Sequence, residues 1–202
     1  MNYLAIDTSG KNLTVIINKN GEVFKYSDAE CGVNHSTELM PKVEELLGTA
    51  NFDLNDADFF ACVVGAGSFT GIRIGVATVK ALCFAFSKPC LAITSFDTLS
   101  YNKTDGKVLA VIDAKHNGFY VCGYQDEKVI LPPAYLMRDS VTELAKEYKI
   151  VAIAPIDGFD VEVVSVVDGF VKAIEGKLDL VTSNIEALTP LYVRKSQAEE
   201  GR

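Results

Sequence analysis

The run Gly65-Ala66-Gly67-Ser68-Phe69-Thr70-Gly71-Ile72-Arg73-Ile74-Gly75-Val76 carries the strongest chemical signal in the chain. An apolar strand that empties into a Gly-x-Gly-Ser loop and then into a helix aims backbone N–H groups at an anion. The spacing matches neither the Walker A pattern nor the complete GxGxxG fingerprint, so a tight strand-to-helix turn without a ligand fits about as well. Asp7-Thr8-Ser9, at the end of the first apolar segment, offers one carboxylate and two hydroxyls for a hydrated cation and a phosphate. The same trio also suits the capping of a turn.

Gly71 and Gly75 stand four apart in a helical segment, where each glycine costs about 1 kcal/mol relative to alanine. Such spacing makes a smooth strip on which a second helix packs closely. Ile72, Ile74, Val76 and Val79 leave the rest of the helix apolar, so the strip either seals against the chain's own sheet or docks a partner. Arg73 sits in this surface, placed to meet a carboxylate across an interface or to reach solvent. His35 is followed at i+4 by Leu39 where a two-histidine metal site needs a second ligand, and the other histidine, His116, has no ligand spacing around it. Structural or solvent-facing histidines are expected. Ser68 lies in G-S-F-T-G, which is not a nucleophile elbow.

These residues need a scaffold, and the patterning supplies an α/β one. YLAIDTS, NLTVIINKN and EVFKYSDAE read as a three-strand meander with a Lys19-Asn20-Gly21 hairpin turn. HSTELMPKVEELLGTA follows as an amphipathic helix with Leu39, Val43, Leu46 and Leu47 in phase, Asn34 or Ser36 as N-cap, and a kink at Pro41. A buried strand around FFACVV, a helix from Thr70 to Phe86 and the strand CLAIT complete a first half. The polar stretch around 100 to 107 marks a boundary, giving domains 1–103 and 104–202. The second half repeats the scheme with strands KVLAVIDA, GFYVCGY and EKVIL, a helix at 140–148 with a Ser140/Glu143 capping box, strands KIVAIAP and VEVVSVV, and a helix GFVKAIEGKL.

Composition bounds the function. The 202 residues are 49% apolar with a formal net charge of −8. A protein that grips a phosphate backbone alone needs clustered Lys and Arg, and the densest basic piece here is Arg194-Lys195. Nucleic acid is therefore expected to be held by another chain. Five cysteines without CxxC spacing read as buried reduced thiols. No secretory leader is evident and no run of ~20 apolar residues is expected to span a membrane, which predicts a cytoplasmic protein.

With LAIDTS at 4–9, HSTELMP at 35–41, GAGSFTGIRIG at 65–75, VIDAKHNGFYVCGY at 111–124 and LTPLYVRKSQAEE at 188–200, the chain resembles the bacterial TsaB (YeaZ) family nearly end to end. The resemblance implies a duplicated actin-like (ASKHA, ribonuclease H-like) α/β fold with a shortened second domain. It implies a noncatalytic role in forming threonylcarbamoyladenosine next to the anticodon of tRNA, as partner of the catalytic subunit TsaD, with the ATPase TsaE joining and tRNA bound only through the complex. A homodimer is expected when the partners are absent. The partner face would comprise His35, Leu39 and Val43 on one helix and Gly71, Ile72, Arg73, Gly75, Val76 and Val79 on the next. Asp7, Thr8, Ser9, Gly65, Gly67 and Ser68 would be a vestigial nucleotide site, with no tightly bound cofactor and ATP or ADP only at the partner interface. Leu39 breaks the paired-histidine motif of the catalytic relative, so no metal is carried over. Ala66 replaces the proline typical of the loop and leaves it freer. The rival expectations are a metal-dependent glycoprotease-like peptidase and an independent ATP-using phosphotransferase.

Overall fold

The computed structural model describes residues 1–32, 34–102 and 105–194. The boundary expected between 103 and 104, and the 195–200 part of the C-terminal motif, lie outside the described residues.

Among the described residues the chain forms two compact units, one of residues 1–93 and 176–191, the other of 94–175 and 192–194. The division falls between Ile93 and Thr94, ahead of the polar stretch, because the chain leaves the first sheet at the end of a buried strand and helix residues 95–100 pack on the second sheet. The second departure from expectation is the return of residues 176–191 to the first unit, where Cys90 and Thr182 exchange main-chain hydrogen bonds and the Leu191 N–H donates to the Val64 carbonyl at 2.7 Å.

In the first unit, strands β1 (Asn2–Asp7), β2 (Leu13–Lys19) and β3 (Glu22–Asp28) form the expected antiparallel meander, and β4 (Phe59–Val63) and β5 (Cys90–Ile93) extend it in parallel, in the order β3-β2-β1-β4-β5. The central strands are buried along nearly their whole length, which is why they read as continuous apolar runs rather than alternating ones. Asn20 and Gly21, both at positive φ, close the β2–β3 hairpin. Helix α1 (His35–Ala50) runs through Pro41, and helix α2 (Phe69–Phe86) crosses from β4 to β5. Its 18 residues satisfy the length and composition of a membrane span, contrary to the expectation that no segment does; here it packs on β1, β4 and β5.

The second unit repeats the topology: β6 (Lys107–Asp113), β7 (Gly118–Gln125), β8 (Lys128–Met137), β9 (Lys149–Ala152) and β10 (Val161–Val163) assemble as β8-β7-β6-β9-β10. The duplication is therefore visible strand by strand. The second copy is shorter, since α4 (Arg138–Leu144) stands where α1 does and no helix joins β9 to β10. Helix α3 (Ser95–Ser100) ends the first strand set and α5 (Val166–Gly176) the second.

Local expectations fail at two helix starts. α4 begins at Arg138 after Met137 and has no side-chain cap, so Ser140 lies inside its first turn and Glu143 pairs with Lys146 at 2.6 Å instead of forming a capping box. VEVVSVV stops as a strand at Val163, because the Ser165 hydroxyl accepts the Asp168 N–H at 3.2 Å and starts α5 in spite of the β-branched run.

Gly71 and Gly75 set the distance between α2 and β1. A Cβ at Gly71 would land on the Thr8 carbonyl oxygen, and one at Gly75 would stand 2.6 Å from Thr8 Oγ1 and 3.4 Å from Cys62 Sγ. The Thr8 hydroxyl donates to the Gly71 carbonyl at 2.7 Å across the same contact. Gly71→Ala is expected to overpack this contact against main chain and to lower stability by about 2 kcal/mol. Urea unfolding followed by circular dichroism measures it; a midpoint unchanged from wild type would refute the packing.

Candidate functional site

The structure brings Asp7, Thr8 and Ser9 against Gly65, Gly67 and Ser68, but their polar groups are spent on one another. The Ser68 N–H donates to the Ser9 carbonyl at 2.6 Å, and a Cβ at Gly67 would strike that same oxygen. The Ser68 hydroxyl accepts the Gly71 N–H at 3.2 Å as the N-cap of α2. Asp7 accepts the Ser9 N–H at 2.8 Å and is buried. Behind the loop, a Cβ at Gly65 would meet the Leu191 carbonyl oxygen at 2.7 Å. The loop is therefore pinned on both sides, and Ala66, itself buried, does not leave it freer. The loop donor that these contacts fix, the Ser68 N–H, is thus turned inward to Ser9.

Burial pushes the Asp7 carboxyl up from its ordinary value, against the opposing pull of the Ser9 hydrogen bonds and the nearby His35. His35 is buried too, with Nε2 3.1 Å from the Asn12 carbonyl oxygen, and is a structural histidine; His116 is exposed. All five cysteines are free and buried, and burial raises the thiols of Cys62, Cys83 and Cys90, Cys83 to about 12. Such thiols are poor nucleophiles and poor ligands. Among the described residues no group of three His, Cys, Asp or Glu side chains is placed to hold a metal ion.

The expected partner face is corrected by burial. His35, Leu39, Val43, Gly71, Ile72, Gly75, Val76 and Val79 all lie in the interior of the first unit, and of the nine only Arg73 is exposed. The physical reason is the stripe rule. Residues at i, i+3, i+4 and i+7 that are apolar or glycine form the face that seals the sheet, and here the glycines fit that face to Thr8. Substituting Gly75 would thus disturb the core rather than a docking surface.

What α2 shows to solvent is its other side: Thr70, Arg73, Ala77, Ala81, Phe84 and Ala85. Phe84 is 81% exposed and Met40 of the neighbouring α1 is 49% exposed. Half-buried Ile74 and Leu82 of α2 and Leu47 of α1 pack on the core cluster between them. The Arg73 guanidinium lies over the Phe69 ring at 3.9 Å. Ala77 and Ala81 keep this outer stripe smooth, and the sequence did contain the signal: a helix apolar on all sides has a second apolar face left over once the sheet has taken the first.

An actin-like α/β protein with a closed glycine loop and an exposed apolar helix face is the class these features define. Residues 29–154 match the family model described as TsaD, tRNA N6-adenosine threonylcarbamoyltransferase. The chain is 31% identical over 153 residues to the Bacillus subtilis tRNA threonylcarbamoyladenosine biosynthesis protein TsaB, covering 73% of this chain and 67% of that one. It is 30% identical over 132 residues to the Escherichia coli protein of the same name, covering 63% of this chain and 57% of that one. A Pseudomonas aeruginosa structure described as similar to peptidase YeaZ superposes with a TM-score of 0.79 at 23% identity, over 96% of this chain and 99% of that one, and so shares the fold. The chain belongs to the TsaB (YeaZ) family, within the wider group that the TsaD model describes.

The raised Asp7 carboxyl gives a pH test. Its folded-state pKa exceeds the unfolded one, so between the two values the folded protein binds more protons and stability falls as pH rises. Asp7→Asn keeps an oxygen for the Ser9 N–H and removes the ionisation. The Tm advantage of the variant over wild type is expected to widen from about pH 4, near the ordinary carboxylate value, to neutral pH. Thermal melts across that range check it; a difference independent of pH would count against a strained buried carboxylate.

Proposed function

We propose that the chain is a noncatalytic subunit of the machinery that makes threonylcarbamoyladenosine in tRNA, and that it acts by docking on the catalytic subunit TsaD. The docking face is the outer side of α1 and α2, with Met40, Ile74, Ala77, Ala81 and Phe84 at its centre. The observation that carries this reading is the 81% exposure of Phe84 on a helix face smoothed by two alanines. Apolar surface of this kind is a usual mark of an interaction site. Small residues let a second pair of helices approach closely, and an aromatic anchor beside them supplies the large buried area that dominates interface energies.

The noncatalytic part of the reading rests on what the site residues are doing. His35 is bound to the Asn12 main chain, Leu39 stands where a second histidine would be needed, and the glycine loop is closed on Ser9. The net charge of −8 supports a reading in which the partner holds the tRNA. TsaE completes the assembly, and without TsaD the same face pairs two copies of this chain.

Ala77→Glu with Ala81→Glu places two carboxylates in the centre of the stripe. Both positions are exposed, so stability should stay within about 0.5 kcal/mol of wild type. Complex formation with TsaD, read by size-exclusion chromatography with light scattering, is expected to be lost. A variant that still binds with unchanged affinity would remove this face from the interface. Phe84→Ser is expected to weaken the complex by at least about 10-fold, as removal of an interface anchor does, with an unchanged melting temperature.

A further inference from the structure

Residues 182–191 run beside α2 in the opposite direction and are tied to both of its ends. Just past the C-terminus of α2, Thr182 and Cys90 exchange main-chain hydrogen bonds at 2.8 and 3.0 Å, and the Cys90 thiol donates to the Asn184 carbonyl at 3.5 Å. Along the helix, Glu186 pairs with Lys80 at 3.1 Å. Ahead of the N-cap Ser68, the Leu191 N–H donates to the Val64 carbonyl at 2.7 Å, and the Leu191 carbonyl oxygen lies 2.7 Å from where a Cβ at Gly65 would stand. The lengths agree. α2, with 18 residues, rises about 27 Å, a span that this segment, at most about 33 Å long when extended, can follow.

α2 needs such support. Gly71, Gly75 and the β-branched Thr70, Ile72, Ile74, Val76, Thr78 and Val79 fill its first turns with poor helix formers. Its first turn has no acidic residue and its last no basic one, so neither end complements the helix dipole. Its order therefore comes from tertiary packing, and residues 182–191 supply part of that packing at both ends.

The segment itself is lightly held. It contains one short 3-10 turn, Ile185–Ala187, and of its residues Leu188 alone is buried, in the cluster that also holds Ile72, Val76, Val79 and Cys83 of α2. Glu186 of the Lys80 pair is largely exposed, and pairs of that kind contribute little. α1, by contrast, buries His35, Leu39, Val43, Leu46 and Ala50 along its whole length. Segments with few buried contacts are the ones that open first within a native fold.

We propose that residues 182–191 form a strap that keeps the docking helix in shape and so regulates docking. Strap and α2 open together, more readily than α1 and the central strands, and a chain with its strap released binds its partner poorly. This rests on the docking reading above and adds how that face is controlled. Coupling between two sites is reciprocal, so a partner that binds α2 also holds the strap down.

Hydrogen exchange followed by mass spectrometry on the full chain tests this first without a variant. After correction for intrinsic rates, peptides from 64–86 and 182–191 should exchange within about 3-fold of each other, and at least about 10-fold faster than those from α1 and β1. A strap that exchanges while 64–86 stays as protected as β1 would overturn the coupling. Leu188→Ala removes the one buried side chain of the strap and should speed both segments at least about 10-fold further, with α1 unchanged. Equal acceleration of α1 would mean that strap and α2 open only with the whole unit, and the proposal fails. Purified TsaD at about ten times its Kd should slow strap and α2 of the wild-type chain by the same factor, about 10-fold, because binding to the seated state suppresses the shared opening. Protection of α2 without the strap would overturn the regulation and leave the docking face standing. If TsaD does not bind the wild-type chain, the docking reading falls and the regulatory claim with it, whereas the common opening of strap and α2 is decided by the exchange rates alone.

Discussion

The contact between α2 and the end of β1 governs the first unit. Two glycines let the helix axis approach until Thr8 touches it through main chain and hydroxyl, and any side chain at Gly71 would prise the layers apart. Interiors pack at crystal-like density, so this approach fixes its neighbours as well. The turn Asp7–Ser9 is pressed against the glycine loop, and the loop closes. The opposite side of α2, with its alanines and Phe84, is in consequence turned fully to solvent. One close approach thus closes the loop and leaves an apolar helix face exposed.

The fold was legible because the central strands of the first unit are buried on both faces, β3 alternates, and its hairpin announces itself by the Asn20-Gly21 turn. The Asp7–Ser9 turn and the Gly65–Ser68 loop lie side by side, since a strand end and a strand-to-helix loop meet wherever parallel strands adjoin. What they do there was not legible. Gly-x-Gly-Ser offers donors to any acceptor, and only the approach of the Ser9 carbonyl decides that the acceptor is internal. The partner face was misassigned for a related reason. Periodicity identifies the most apolar stripe of a helix, and in a sheet protein the sheet claims that stripe first. His35 and Leu39, each four positions from the next core residue of α1, follow the same logic.

The second unit carries the same strand order with less material around it. Leu109, Val111, Phe119, Val121, Val141 and Ile150 form one buried apolar cluster of this unit, and Phe96, Leu99 and Phe170 are buried as well. Without a crossover helix between β9 and β10, Ile153 and Val163 remain about half exposed. Duplication followed by trimming of one copy accounts for both features, and it leaves the long helices, with their apolar outer face, in the copy that retained them.

The return of residues 176–191 has a temporal consequence. Strand β5 obtains its outer neighbour from Thr182, and the carbonyl at the head of the glycine loop is satisfied by Leu191. A ribosome delivers those residues only after residues 94–175 of the second unit have been made. Until then the nascent first unit has a bare sheet edge and an unfastened loop, so its final closure waits until the intervening residues of the second unit have emerged.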